Sequence, residues 1–174
     1  MNQETEDSAV ARQGDCELAI TRTFDAPPDA VFKAWSEADL FRNWWMPRSM
    51  TDVTLVACTM DVRTGGKYCL EFATDAPDTM AFHGQYVEIV PNERIVWTND
   101  EDAAGAITTV TFENLGSKTL LTFHEAYPSR EALEDALLGG AAALPEQLAQ
   151  LGELLAGFTG YNGLGHSYQK SDPS

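Results

Sequence analysis

The sequence predicts an α+β fold: a curved antiparallel sheet of about seven strands, with two short helices after the first strand, gripping a long C-terminal helix. Three observations carry this. Leu133, Leu137, Ala141, Leu144, Leu148, Leu151 and Leu155 recur at steps of three and four, so a helix over Ser129 to Gly157 has one apolar face. From Cys16 to Tyr127 most of the chain alternates with period two in short runs bounded by turn residues. A lone amphipathic helix behind a run of strands has only their sheet to bury its stripe against.

The elements follow in order. Glu17 to Phe24 alternates as a half-buried strand, with Leu18, Ile20 and Phe24 near the inward face; strict alternation also brings Arg22 inward. Asp25-Ala26-Pro27-Pro28 ends it, and Pro28 suits the first turn of a helix carrying Ala30, Val31, Ala34 and Trp35 on one side. Leu40 to Trp45 makes a second brief helix, stopped by Pro47. Strands are then expected over Thr54–Val62, Lys67–Ala73, Met80–Val90, Arg94–Thr98, Ala106–Glu113 and Thr119–Glu125, all joined by connections short enough for antiparallel pairing. Ser129 is the expected N-cap of the long helix. Gly139-Gly140 and Pro145 interrupt that helix, but the stripe keeps its phase, which predicts a kink and not two separate helices.

Size and charge narrow the function. A chain of 174 residues fits one domain, read here as 16–157, with a disordered tail at 1–15 and a C-terminal tail at 158–174. The net charge of −16 opposes nucleic acid and anionic membrane surfaces, so neither is an expected partner. The polar N-terminus lacks a signal-peptide core, and Cys16, Cys58 and Cys69 fit neither a disulfide framework nor a metal spacing. The expected location is cytoplasmic.

Several motifs carry a family resemblance. Thr23-Phe24-Asp25-Ala26-Pro27, then Val31-Phe32-Lys33-Ala34-Trp35 and Trp44-Trp45-Met46-Pro47, resemble the opening of START-like (SRPBCC) domains. Asp61-Val62-Arg63-Thr64-Gly65-Gly66 and the segment Gly84-Gln85-Tyr86-Val87-Glu88 through Pro91-Asn92-Glu93-Arg94 resemble two motifs of the group named for the activator of the heat-shock-protein-90 ATPase. The likeness covers about residues 16 to 157. It implies the helix-grip (START/Bet v 1-like) fold, whose wider superfamily includes carriers and cyclases that use the space between sheet and helix. It also implies a chaperone as a candidate partner and makes a homodimer a state to test. Members of the group often carry a Trp near Ala142–Ala143 and no proline at 145; small residues there imply more open volume, unless the tail aromatics fill it.

The expected ligand is a small apolar or amphipathic molecule in that space. The expected lining is Trp45, Met46, Tyr68, Leu70, Phe72, Phe82, Tyr86, Trp97, Leu121, Phe123, Glu125, Leu137, Ala141, Leu144 and Leu148. On the middle strands Phe82 and Tyr86 share one face and His83, Gln85 and Val87 the other, and both sets are mixed. Glu125 is the polar residue to watch, either as a hydrogen-bond acceptor or as a general base. Glu125, His83 and His124 are the acid–base candidates of an alternative reading, a cyclase or hydrolase; His83 and His124 could approach across the sheet, with no third metal ligand to name. No catalytic residue is assigned, and neither a cofactor nor a metal is expected. Gly65-Gly66 joins two strands and lacks the lysine-serine ending of a phosphate loop, and Asp61 with Arg63 suits a turn-stabilising pair.

Overall fold

The computed structural model describes residues 10–99 and 105–171, except the side chains of 140 and 158–171. The expected tail aromatics and residues 1–9 lie outside what it describes. The described strands form one antiparallel sheet of eight: β1 (Ala11–Gln13), β2 (Glu17–Phe24), β3 (Thr54–Met60), β4 (Lys67–Ala73), β5 (Met80–Val90), β6 (Arg94–Thr98), β7 (Ile107–Asn114) and β8 (Thr119–Ala126). Their spatial order is β1-β2-β8-β7-β6-β5-β4-β3. The sequence predicts one strand fewer. β1 is a three-residue edge strand with all side chains exposed, so it has no alternation to read. Gly14, at φ 73°, turns it back onto β2, pairing Ala11 with Ala19 and Gln13 with Glu17.

All links between consecutive strands join sheet neighbours except that from β2 to β3, which carries helices α1 (Pro28–Ser36) and α2 (Ala38–Trp44). That detour lets β8 pair with β2 along its whole length, from Glu17 opposite Ala126 to Phe24 opposite Thr119. Val56 and Val87 are extra residues in β3 and β5, where the register shifts by one. Such bulges bend their strands and curl the sheet into a cup. α1 starts on Pro28 and buries Val31, Ala34 and Trp35; α2 buries Phe41 and Trp44, whose Nε1 donates to the Ala34 carbonyl at 3.0 Å.

The C-terminal stretch departs from expectation. It is not one kinked helix but two, α3 (Arg130–Leu138) and α4 (Leu144–Ser171), separated by a 3-10 turn over Gly140–Ala143. Gly139 leaves helical geometry at φ −117° and ψ −115° and ends α3. Pro145 then falls in the first turn of α4, where its missing N–H costs nothing, so it starts a helix instead of bending one. Ser129 caps α3 by accepting from the Ala132 N–H at 3.0 Å. α4 packs on β2, α1 and α2. Its Leu148, Leu151 and Leu155 join Leu18, Ile20, Phe24 and Leu121 in the core, and Gly152 lies over Phe24 and Arg22.

Candidate functional site

Beyond the end of the sheet where α4 is seated, the cup is not filled. A cavity of about 600 Å³ opens there. Its walls are the inward side chains of the curled sheet: Tyr68, Leu70 and Phe72 from β4, Phe82 and Tyr86 from β5, Ile95 and Trp97 from β6, Phe123 and Glu125 from β8. Trp35 and Phe41 close one end, and α3 with the 3-10 turn forms the roof through Ala132, Ala136, Gly139, Ala141 and Ala143. The roof is built of small side chains, and that leaves the hollow. Trp35 is the hub of the aromatic shell, its ring 6.0 Å from those of Trp45 and Trp97 and 6.3 Å from Phe123. Its buried Nε1–H has no hydrogen-bond partner among the described residues.

One wall is a loop fastened by the helix. Trp45, Met46, Pro47, Met50 and Val53 line the cavity from the segment after α2. Gln150 Nε2 donates to the carbonyls of Trp44 and Met46 at 2.8 and 2.9 Å, and its Oε1 accepts from the Arg48 N–H at 2.8 Å. Gln147 Nε2 donates to the Trp45 carbonyl at 2.6 Å. Outside these, Ser49 donates to Glu146 at 2.6 Å and Arg48 pairs with Glu153 at 2.7 Å, which lowers the Glu153 pKa and raises that of Arg48. Both glutamines are buried, so the pattern Leu144-x-x-Gln147-Leu148-x-Gln150-Leu151 carries a readable signal. A polar residue inside an apolar stripe has partners to satisfy.

The polar groups gather in a chain across the sheet. Tyr68 donates to the Thr98 carbonyl at 3.0 Å and to Asn99 Oδ1 at 3.3 Å. Asn99 Nδ2 donates to Thr108 Oγ1 at 3.1 Å, and Thr108 donates to Glu125 Oε2 at 2.5 Å. Tyr127 donates to the other carboxylate oxygen, Glu125 Oε1. Gly84 makes room for Tyr68: a Cβ there would sit 1.9 Å from the Thr98 carbonyl and 2.7 Å from the Tyr68 hydroxyl. Burial first, then the Glu125 charge and hydrogen bond, push the Tyr127 pKa well above the ordinary phenol value. Burial does the same for Tyr86. Tyr127 therefore stays a donor at neutral pH, and the carboxylate it faces is held in place from both oxygens.

Of the residues expected at the cavity, Trp45, Met46, Tyr68, Leu70, Phe72, Phe82, Tyr86, Trp97, Phe123, Glu125, Ala141 and Leu144 line it. Leu121, Leu137 and Leu148 do not. Leu121 shares the inward face of β8 with Phe123, but it lies toward the end where α4 is seated and is fully buried in the core. Leu148 points into the same packed region. On α3 the cavity face is Ala132, Asp135, Ala136 and Gly139, while Leu133 and Leu137 lie on the adjoining face against the core. His83 and His124 are not at the cavity. They sit on β5 and β8, with two strands between them, so they do not meet; His124 contacts Glu17 at 2.9 Å instead. Among the described residues no group of three His, Cys, Asp or Glu could hold a metal. Sequence reasoning missed Trp35, Ile95, Asn99, Tyr127, Asp135 and Gln147.

The site now has its geometry: a cupped sheet, a roof of small residues and one buried polar chain. The family model described as "Activator of Hsp90 ATPase homolog 1-like protein" matches residues 25–156, more than half the chain. The chain belongs to that family. Solved structures agree on the helix-grip fold. A Nitrosomonas europaea protein superposes with a TM-score of 0.76 at 18% identity, covering 86% of this chain and 100% of that one. A Chromobacterium violaceum protein has a TM-score of 0.64 at 30% identity, with 79% of this chain and 95% of that one covered. CalU16 from Micromonospora echinospora, at 21% identity, has a TM-score of 0.58 over 86% of this chain and 83% of its own. No curated protein matches the sequence. No helix among the described residues is long and apolar enough to cross a membrane.

Proposed function

We propose that this member of the activator-of-Hsp90-ATPase-homolog family binds one small, mainly apolar molecule between its sheet and the α3 roof. The observation that supports this best is the cavity itself: about 600 Å³, walled mainly by aromatic and aliphatic side chains, with a connected polar chain at its Glu125 end. Apolar burial supplies the affinity, at about 25 cal/mol per Å² before association costs. The Glu125 end sets the orientation. The free thiols Cys16, Cys58 and Cys69 fit a reducing compartment, so the cytoplasm is the proposed location.

Native mass spectrometry of protein purified from its own host tests the reading. The expected result is a reproducible one-to-one adduct that disappears in Ala143→Trp, which places a large ring in the roof. An adduct of the same mass and occupancy in that variant would put the molecule elsewhere and end the proposal.

The Glu125–Tyr127 contact inside a cavity also favours a second reading, acid–base catalysis on the bound molecule, with the carboxylate as base. Glu125→Gln would then lower kcat by about 100-fold or more while KM moves little. A variant that retains full turnover removes Glu125 from any chemistry. The activity in the family's name has its own test, the ATPase rate of the host's own chaperone with and without this protein. An unchanged rate counts against a chaperone role.

A further inference from the structure

We infer that the molecule held in the cavity carries a hydrogen-bond acceptor, a carbonyl or ether oxygen on an otherwise apolar planar body, and that Trp35 Nε1–H donates to it. This rests on the cavity reading above and narrows the ligand class. The first observation is the donor itself. Trp35 is 2% exposed and lines the cavity, and its Nε1–H is buried with no hydrogen-bond partner among the described residues. A buried N–H without an acceptor has given up its hydration and regained nothing. Buried polar groups are nearly always paired, so a single one left over points to an acceptor from outside the chain.

The second observation is the contrast with the neighbouring tryptophan. Trp35 and Trp44 meet edge to face, ring centroids 4.7 Å apart, and both are buried. Trp44 Nε1 donates to the Ala34 carbonyl at 3.0 Å. The buried amides beside them are supplied as well, Gln150 by the Trp44 and Met46 carbonyls and Gln147 by that of Trp45. This corner of the fold therefore gives its other buried donors an acceptor within the chain. The indole left without one belongs to a side chain shared between core and cavity.

The third observation is what surrounds that indole. The rings of Phe41, Trp45, Trp97 and Phe123 lie 6.0 to 6.3 Å from that of Trp35, and all four line the cavity. An N–H gains less from a ring face than from an oxygen, so a ligand oxygen improves on any of them. The nitrogen has no surface open to solvent, so an acceptor reaches it by moving one of these rings. Trp45 is placed for that: it is half-buried and sits on the loop after α2, whereas the other three are carried by a helix or a strand. A planar body can stack where that ring was and bring its oxygen to Nε1.

The test uses two probes of one shape, methyl naphthyl ketone and isopropenylnaphthalene, which differ by an oxygen against a methylene. Each is titrated by calorimetry into the full-length protein and into Trp35→benzothienylalanine, which keeps the shape of the ring and replaces its N–H by sulfur. Comparing the ratio of the two affinities between the proteins cancels the difference in the probes' own hydration. The expected result is one site per chain, with the ketone's affinity relative to the alkene's falling at least about fivefold in the variant. The second readout needs no variant: the Trp35 indole N–H resonance of the wild-type protein should move downfield with the ketone and not with the alkene. An unchanged affinity ratio, or a bound ketone that leaves that resonance in place, overturns this inference and leaves the cavity reading standing. Binding of neither probe overturns the cavity reading, and this inference with it.

Discussion

Leu144 and Leu148 stand one turn apart on α4 and meet different surroundings. Leu148 is fully buried among the leucines and aromatics under which β2 and β8 run, while Leu144, nearly as buried, forms part of a cavity wall. The same residue type at the same helical spacing therefore serves packing at one end and the edge of a hollow at the other. The cause is the curl of the sheet against a helix that runs without a break from Leu144. Where α4 is seated, leucines and Gly152 meet the strands; where the chain breaks at Gly139 and becomes a 3-10 turn, alanines leave the space open. Low accessibility alone does not separate the two regions, because a side chain can be hidden from solvent and still have few atoms in front of it.

The largest expected effect tests that difference directly. Leu148→Ala should cost about 3–5 kcal/mol in urea unfolding, since it opens a void inside close packing. Leu144→Ala, which enlarges an existing hollow, should cost about 2 kcal/mol or less, at the low end for such truncations. Equal losses would mean that the hollow is packed as tightly as the seat. Next in size is the fastening of the cavity loop. Gln150→Leu leaves the Trp44 and Met46 carbonyls and the Arg48 N–H without their present partner, costing about 1–3 kcal/mol. Amide exchange over residues 45–50 should accelerate with it. Gln147→Leu, which removes one bond, should do less on both measures. If Gln150→Leu leaves loop exchange at the wild-type rate, the loop is held by its aromatic contacts and the glutamine is incidental.

Strands β2 to β8 were readable from alternation because each turns mainly one face inward, and that face is mostly apolar. β1 was not, because its three residues bury nothing. The packed end was readable from the leucine stripe, but the same stripe put Leu137 and Leu148 at the cavity, as strand alternation did Leu121, and none of the three lines it. Periodicity reports which face is inward and says nothing of whether the opposing surface touches it. The residues that make the hollow, Ala132, Ala136 and Ala143, carry little signal because a small side chain is informative only once its neighbours are known. Glu125 could be singled out by its place at the end of an apolar strand. Tyr127 and Asn99, which help to hold it, lie just past strand ends where alternation stops. Pro145 shows the same limit: its effect on a helix depends on whether a helix has already begun, which the Gly139-Gly140 pair decides.

The smallest effect probes the solvent inside the hollow. Tyr86 and Tyr127 both have pKa values raised above the ordinary phenol value, chiefly by burial. A phenol held this way contributes stability that is fully present below the unfolded value of about 10 and is lost as pH rises through its higher folded value. The alkaline limb of the stability curve should therefore fall above about pH 10, and Tyr86→Phe and Tyr127→Phe should each flatten it. Absorbance near 295 nm gives a second readout: of the five tyrosines, these two should ionise late, and Tyr127 should ionise earlier in Glu125→Gln because the neighbouring negative charge is gone. Suppose instead that all five titrate together near pH 10. Water would then reach the cavity walls well enough to solvate a phenolate, the hollow would be an open cleft, and the affinity expected from apolar burial would shrink with it.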